Sequence, residues 1–325
     1  MKKILAYCPV IADATSWYRG AGVLNTLRRQ YRDKVDVRYA AGPVPWYELT
    51  GMDGAFMQRP FTPVCLTIAK TIKNANLPLW VDYDDMVDGL TPDNPVYSNY
   101  ECAKQNVPEL MKMADFVTVS TNALATWAKE RGATNALVIP NAWNDYLIPQ
   151  LRSQPAGPVK RIIWRGCAGH CKDLSDVQDG IIKLANAHPD WEWTFMGWRP
   201  WFLEGKGNFK FAGYMELIEY FWWLQSASFN VSIVPLADTP FNRSKSNCSW
   251  IETTQVGAVT VAPLWDEWVR DGIVNHYGGM LEQVEAAMEK HAAREDYWKQ
   301  SQDFIFGNLL LSKVNKQRME VIDGF

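Results

Sequence analysis

Short apolar runs of strand length alternate along the chain with longer stretches whose apolar residues recur at helical spacing. "KILAYCPV" opens as a buried strand, and "GVLNTLRRQY" follows with Val23, Leu24, Leu27 and Tyr31 on one helical face. "VDVRYA" and "GAFMQR" read as strands, "TPVCLTIAKTIKNA" as a helix, and "LPLWVDYDD" as a strand ending in acids. A helix is predicted over "ECAKQNVPELMKMA", kinked or started late by Pro108. Strands "DFVTVS" and "ALVIPN" flank the helix "NALATWAKERG", which Gly132 closes. Strands alternating with helices imply parallel pairing with crossover helices, so this half predicts a doubly wound α/β domain.

"YLIPQLRSQPAGPVK" breaks the alternation, and its Pro, Gly and Ser mark a linker near 146–159. The pattern then restarts: "RIIWRG", "WEWTFMG", "FKFAGY", "FNVSIVPL" and "AVTVAP" read as strands. Helices are expected over "LSDVQDGIIKLANAH", "MELIEYFWWLQSA" and "SWIETTQVG", with two closing helices after them. Two α/β domains in tandem are predicted, over 1–150 and 151–325, with a cleft between them and the last helix packing back on the first. Ligands of such sheets bind outside the carboxyl ends of the strands, so chemistry is sought just after each strand.

A length of 325 residues suits two domains. The net charge of −3 gives no global pull toward nucleic acid, although Arg28, Arg29, Arg32 and Lys34 offer a local basic patch. The 16 tryptophans suit either core filling or stacking on sugars and bases. Six scattered cysteines show no disulfide framework, and a reducing cytoplasm is the expected location. The start "MKKILAYCPVIADA" mimics a signal peptide, but its apolar run is short and broken by Pro9, and it reads better as a strand. No stretch approaches 18 uninterrupted apolar residues, so no membrane span is expected.

The most informative stretch is "PLADTPFNRSKSNCSWIETTQVGAVTVAP", residues 235–263. A strand ends at Pro235, a polar loop carries Asn242, Arg243, Ser244 and Lys245, and a helix opens near Ser246 and Asn247 with Ser246 as its N-cap. A helix start with a lysine beside it suits phosphate. Glu252 on that helix could accept hydrogen bonds from ribose hydroxyls.

In "WRGCAGHCKDL", residues 164–174, Cys167, His170 and Cys171 supply three soft ligands at most, whereas a zinc site takes four. Their order also does not suit haem attachment, and no metal is expected. Arg165 and Lys172 with Gly166 and Gly169 suit a phosphate-facing loop, and His170 could donate to a phosphate or sugar hydroxyl. Asp82, Asp84 and Asp85 end a strand of the first domain, where acids could hold an acceptor hydroxyl, act as base or bind a cation. Tyr18, Arg19 and Arg59 also follow strands, while Gly20-Ala21-Gly22 is only a fragment of a dinucleotide fingerprint. Asn141 reads as structural, and His188, His276 and His291 as surface residues.

The arrangement K-S-N-x-x-W-I-E-x-x-x-x-G-A-V-x-V-A, starting at Lys245, resembles the donor segment of GT-B glycosyltransferases. The resemblance implies two Rossmann-like doubly wound domains around a cleft. It also implies a nucleotide-sugar co-substrate, UDP- or GDP-linked, with retention of configuration and no tightly bound cofactor. Glu252 matches the ribose-binding acid, while the family's other glutamate, eight positions earlier, is Ser244 here. The implied catalytic groups are Asp85, Arg165 and Lys245. The donor would meet Arg19, Gly166, His170, Lys172, Asn242, Ser246, Asn247 and Glu252, and the acceptor Tyr18, Arg59, Asp82 and Asp84.

The stretch D-x-D-D…P-x-N-P from Asp82 resembles phage and bacterial GT-B-like proteins, which brings in a hydroxymethylated pyrimidine of DNA as acceptor, flipped between aromatic rings. A surface glycan or lipid-linked sugar is the alternative acceptor. A sugar-phosphate epimerase or phosphorylase, and a non-catalytic two-lobe binding protein, are the rival functions.

Overall fold

The computed structural model describes residues 1–10, 13–148, 157 and 159–325. The first sheet holds β1 (Lys2–Tyr7), β2 (Val35–Ala40), β3 (Gly54–Gln58), β4 (Leu79–Tyr83), β5 (Phe116–Val119) and β6 (Ala136–Val138), in the order 2-1-3-4-5-6. The second holds β7 (Arg161–Gly166), β8 (Glu192–Gly197), β9 (Phe209–Ala212), β10 (Val231–Ile233), β11 (Val259–Pro263) and β12 (Ile273–His276), in the order 12-11-10-7-8-9. Every pairing is parallel. Strand order reverses direction between β1 and β3 and again between β7 and β10, so each sheet has one switch point, where the following loops diverge and leave a crevice.

Helices α1 (Ala14–Arg19), α2 (Ala21–Gln30), α3 (Pro63–Asn74), α4 (Ala103–Met113) and α5 (Asn122–Glu130) belong to the first sheet. The second is followed by α6 (Cys171–Ser175), α7 (Gln178–Ala187), α8 (Leu217–Ala227), α9 (Pro240–Arg243), α10 (Cys248–Thr254), α11 (Met280–Glu289), α12 (His291–Asn308) and α13 (Leu311–Asp323). One face of the first sheet packs under α3, α4 and α5. On its other face Leu24 and Leu27 of α2 meet Val314, Met319 and Ile322 of α13 over Ile4, Phe56 and Trp80. The last helix therefore lies on the first sheet. The chain crosses back to it at Leu309–Leu311, which bond Trp143 on both sides at 2.8 Å.

Four local features depart from the sequence reading. The segment after β1, where the sequence pattern marks no helix, forms α1, capped by Asp13 accepting from the Ser16 amide at 2.6 Å. Six residues are too few for helical periodicity to register. Helix α4 runs straight through Pro108 from a start five residues earlier, because Val107, Leu110 and Met111 bury against the sheet and outweigh one missing donor. Three helices close the chain instead of two, and β12 was not anticipated because only Ile273 of its four residues is buried. Residues 149–156 and 158 of the expected linker over 146–159, which include its boundary at 150/151, lie outside the described residues.

Most tryptophans, among them Trp80, Trp127, Trp143, Trp193 and Trp250, are core residues. His276 is not a surface residue either: both ring nitrogens are buried without a partner, and burial pushes its pKa down.

The glycines of Gly20-Ala21-Gly22 serve packing. A side chain on Gly22 would stand 2.4 Å from the Trp17 carbonyl oxygen, and one on Gly20 would meet Gln58 Oε1 at 1.9 Å. Gly22→Ala should therefore push α1 away from α2 and cost about 1–3 kcal/mol, read as a lower urea midpoint at unchanged slope.

Candidate functional site

A cleft of about 740 Å³ opens between the carboxyl ends of the two sheets, within the range of a small-molecule site. Ten of the fifteen residues expected as catalytic, donor-binding or acceptor-binding groups line it. Tyr18, Arg59, Asp84 and Asp85 come from the first domain, and Arg165, Gly166, His170, Lys245, Ser246 and Glu252 from the second. They form three polar clusters.

Glu252 is the centre of the first, with its carboxylate 3% exposed. Its Oε1 accepts from the Tyr18 hydroxyl at 2.6 Å, and its Oε2 from the Tyr220 hydroxyl at 2.7 Å. Arg165 Nε lies 2.6 Å from Oε2, an ion-pair distance, although its N–H is not aimed at that oxygen. Burial is the largest influence and opposes the Arg165 charge, but Glu252 together with Tyr220, Cys248 and Tyr18 outweighs it, and the pKa is raised. Burial, reinforced by Glu252, pushes both tyrosine hydroxyls well up, so they remain donors.

The second cluster spans the domains. Just past β3, Arg59 takes a left-handed backbone (φ 42°), and its amide donates to the Asp82 carbonyl at 2.8 Å. This turn aims its guanidinium at Asp84, with Nε–Oδ1 and Nη2–Oδ2 both at 2.6 Å, and Nη2 also reaches Asp85 at 3.0 Å. From the other domain, Lys245 Nζ donates to Asp85 Oδ1 at 2.7 Å while lying 4.2 Å from the centre of the Phe241 ring. Burial, with the neighbouring Asp85 charge, raises the Asp84 pKa against the pull of Arg59. At Asp85 burial is outweighed by Lys245 and Arg59, and the carboxyl sits below its usual range.

In the third, Asp173 accepts from Asn242 Nδ2 at 2.7 Å and the Ala237 amide at 2.9 Å, and holds His170 Nδ1 at 2.7 Å. This anchors the loop after β7 to the loop after β10.

Five residues expected in the site stand elsewhere. Arg19 and Asp82, expected to meet donor and acceptor, form a buried ion pair beneath the cleft, with Nε–Oδ1 at 2.8 Å and Nη2–Oδ2 at 2.7 Å. Arg19 also donates to the Ile139 carbonyl and to Asn141 Oδ1, and Asp82 accepts from Thr118. Neither lines the cleft. Lys172 points to solvent and is held by Asp176 at 2.8 Å, one helical turn on. Asn242 is spent on Asp173 and the Ala237 carbonyl. Asn247 is buried at the start of α10, its side chain donating to the Glu267 carbonyl at 3.3 Å.

Asn247, not Ser246, occupies the N-cap, and it makes no side-chain cap bond. The Ser246 hydroxyl instead accepts from Asn141 Nδ2 at 2.8 Å across the domains. Cys167, His170 and Cys171 do not converge on a point. Among the described residues, the group of such side chains that does converge is His188, Glu285 and Glu289, outside the cleft.

Sequence reasoning missed Tyr220, Asp173 and Thr121. Tyr220 lies within the run "EYFWWL", where nothing distinguishes it from a core residue. Asp173 follows His170 by three residues, a spacing that could have marked the pair. Thr121, whose hydroxyl donates to the Ser244 carbonyl at 3.0 Å, needed the domain contact to be known.

Two facing Rossmann-like sheets with polar groups converging from both carboxyl edges define the GT-B fold. No family model matches the sequence, and no curated protein does. Solved structures do match. HepE from Anabaena, in complex with UDP-glucose, aligns with a TM-score of 0.69 at 14% identity, covering 100% of both chains. Sucrose-phosphate synthase from Thermosynechococcus elongatus aligns at 0.69 and 10% identity, over 100% of this chain and 99% of that one. TarM aligns at 0.64 and 10% identity over 86% of this chain, which spans 57% of TarM's length. At these identities the shared property is the fold.

Arg19→Met should leave Asp82 as an uncompensated buried charge. We expect a loss of about 3–5 kcal/mol in urea unfolding.

Proposed function

We propose that the protein is a glycosyltransferase that moves a hexosyl group from a UDP-sugar to a hydroxyl acceptor. The observation that carries this reading is the meeting of Arg165, Lys245 and Glu252 in one cleft between the switch points of two sheets. The likeness to HepE, solved with UDP-glucose, supports UDP as the nucleotide. Glu252 would take the ribose hydroxyls. Lys245 and Arg165 would face the diphosphate and stabilise the charge that develops as it leaves, in a site partly screened from water. His170, steadied by Asp173, would donate to a phosphate or to a hydroxyl of the transferred sugar. Asp85, Asp84 and Arg59 stand on the opposite wall, where the acceptor hydroxyl would approach.

Retention of configuration fits the partnering of the acids. Asp84, Asp85 and Glu252 are each held by a cation, so none is offered as the free general base that an inverting displacement would use on the acceptor hydroxyl. The acceptor is better read as a sugar hydroxyl than as a DNA base. Arg28 and Arg29 close α2, and the chain enters β2 directly afterwards at Val35. The basic patch therefore lies at the amino edge of the first sheet, opposite the cleft. Trp164 and Trp268, which line the cleft, are 4% and 2% exposed and offer little face for stacking.

Glu252→Ala and Lys245→Ala should each weaken UDP binding at least about tenfold, or about 1.4 kcal/mol, by calorimetric titration. Unchanged binding in both would remove this assignment. Incubation with UDP-glucose and candidate glycans should release UDP only when an acceptor is present, and NMR of the product should show the donor's anomeric configuration. Isomerisation of the donor sugar without acceptor would favour an epimerase instead.

A further inference from the structure

The aromatic side chains that line the cleft differ in how much of their faces is already taken. Tyr18, Trp164, Tyr220 and Trp268 are at most 5% exposed. Lys245 Nζ stands 4.2 Å from the centre of the Phe241 ring and occupies that face. Tyr100 and Tyr214 remain. Tyr214 belongs to the second domain, and Tyr100 stands half-buried on the first-domain wall with Arg59 and Asp84.

Phe61 backs Tyr100, with ring centroids 4.9 Å apart and ring planes at 35°. Phe61 does not line the cleft and Tyr100 does, so one side of the tyrosine ring is packed and the opposite side is left to the cleft. Both residues are tied down through their backbones. Asn106 Nδ2 donates to the Phe61 carbonyl at 3.0 Å, and the Ala103 amide donates to the Tyr100 carbonyl at 2.9 Å. A flat surface fixed in this way loses little freedom when a ligand lies on it.

Polar groups stand on the same wall. Arg59 spends Nε and Nη2 on Asp84 and Asp85, and its Nη1 makes no bond to a described residue. Asp84 receives one bond from Arg59 on each oxygen, out of about four lone-pair positions on a carboxylate, so acceptor positions are left. Two carboxylates against one guanidinium leave this wall without spare positive charge, which does not suit an acceptor carrying a phosphate or a carboxylate. A flat apolar face with donors and acceptors beside it fits a pyranose, whose ring is apolar across its C–H faces and hydroxylated around its edge.

We propose that Tyr100 is the stacking floor of an acceptor subsite that takes a neutral pyranose, with Arg59 Nη1 and Asp84 holding hydroxyls at the edge of the sugar. This rests on the glycosyltransferase reading given above and names the acceptor's class within it. Tyr100 acts through apolar contact, so its ring matters and its hydroxyl does not.

The test is saturation-transfer NMR with the methyl glycosides of glucose, galactose, mannose and N-acetylglucosamine, with and without saturating UDP. Irradiation of the protein's aromatic protons should saturate the C–H protons on one face of the ring in at least one of these sugars. Tyr100→Phe should keep that signal, whereas Tyr100→Leu should raise the sugar's dissociation constant at least about tenfold. No transfer to any of the four sugars, transfer spread evenly over both faces, or transfer undiminished in Tyr100→Leu overturns the proposal. The face selectivity is read on the wild-type protein and needs no variant to fold. Calorimetric titration of UDP separates the two readings. Sugar binding without UDP binding removes the transferase reading and leaves the pyranose site, and UDP binding without sugar binding removes the site and leaves that reading.

Discussion

The buried pair of Arg19 and Asp82 is the interaction on which the rest of the site depends. Its guanidinium reaches β4 through Asp82, the end of β6 through the Ile139 carbonyl, and Asn141 beyond it. Asp82 in turn binds Thr118 on β5, whose hydroxyl accepts from the Trp80 indole at 2.7 Å. One planar cation thereby fixes the position of α1 against three strand ends, and α1 carries Tyr18. A buried ion pair contributes little net stability compared with apolar residues of the same volume, because desolvation offsets the attraction. What it supplies here is geometry. Asn141 passes that geometry to the second domain through Ser246.

The cleft and the domain interface are consequently the same surface. Trp17 beside Tyr18 packs against Phe221 of α8, with ring centroids 5.7 Å apart, and Trp143 meets the same ring at 5.3 Å. Residues that would recognise a ligand are also the ones that hold the two sheets in register. Most of their charges are paired within the protein, so a ligand exchanges contacts with existing partners and does not fill an empty electrostatic hole. The gain on binding is a difference between two satisfied states.

Much of the fold was legible because parallel sheets announce themselves as alternating apolar runs, and the runs around β1, β4, β7 and β11 are among the clearest in the chain. The loop residues after those strands were legible for the same reason, since topology sends them to one edge. What remained hidden was the direction of each side chain. Arg19 and Arg59 look alike in sequence, each just after a strand, yet one turns into the core and the other into the cleft. The difference comes from their partners: Asp82 lies inside β4 and is 2% exposed, whereas Asp84 lies just past the end of that strand and lines the cleft. Asn242 and Lys172 were legible as polar loop residues, but not as partners of Asp173 and Asp176, because burial and local pairing decide which polar groups remain available.

Helix α13 carries a consequence for the order of events during synthesis. Leu311, Val314, Met319 and Ile322 complete one face of the first sheet, and Phe325 packs against Trp80 and Phe116. These residues emerge from the ribosome only after the whole second domain has been made. Until then Ile4, Phe56 and Trp80 lack their cover on that side. The first domain therefore cannot complete its core before the second has been made, although successive domains commonly mature in chain order.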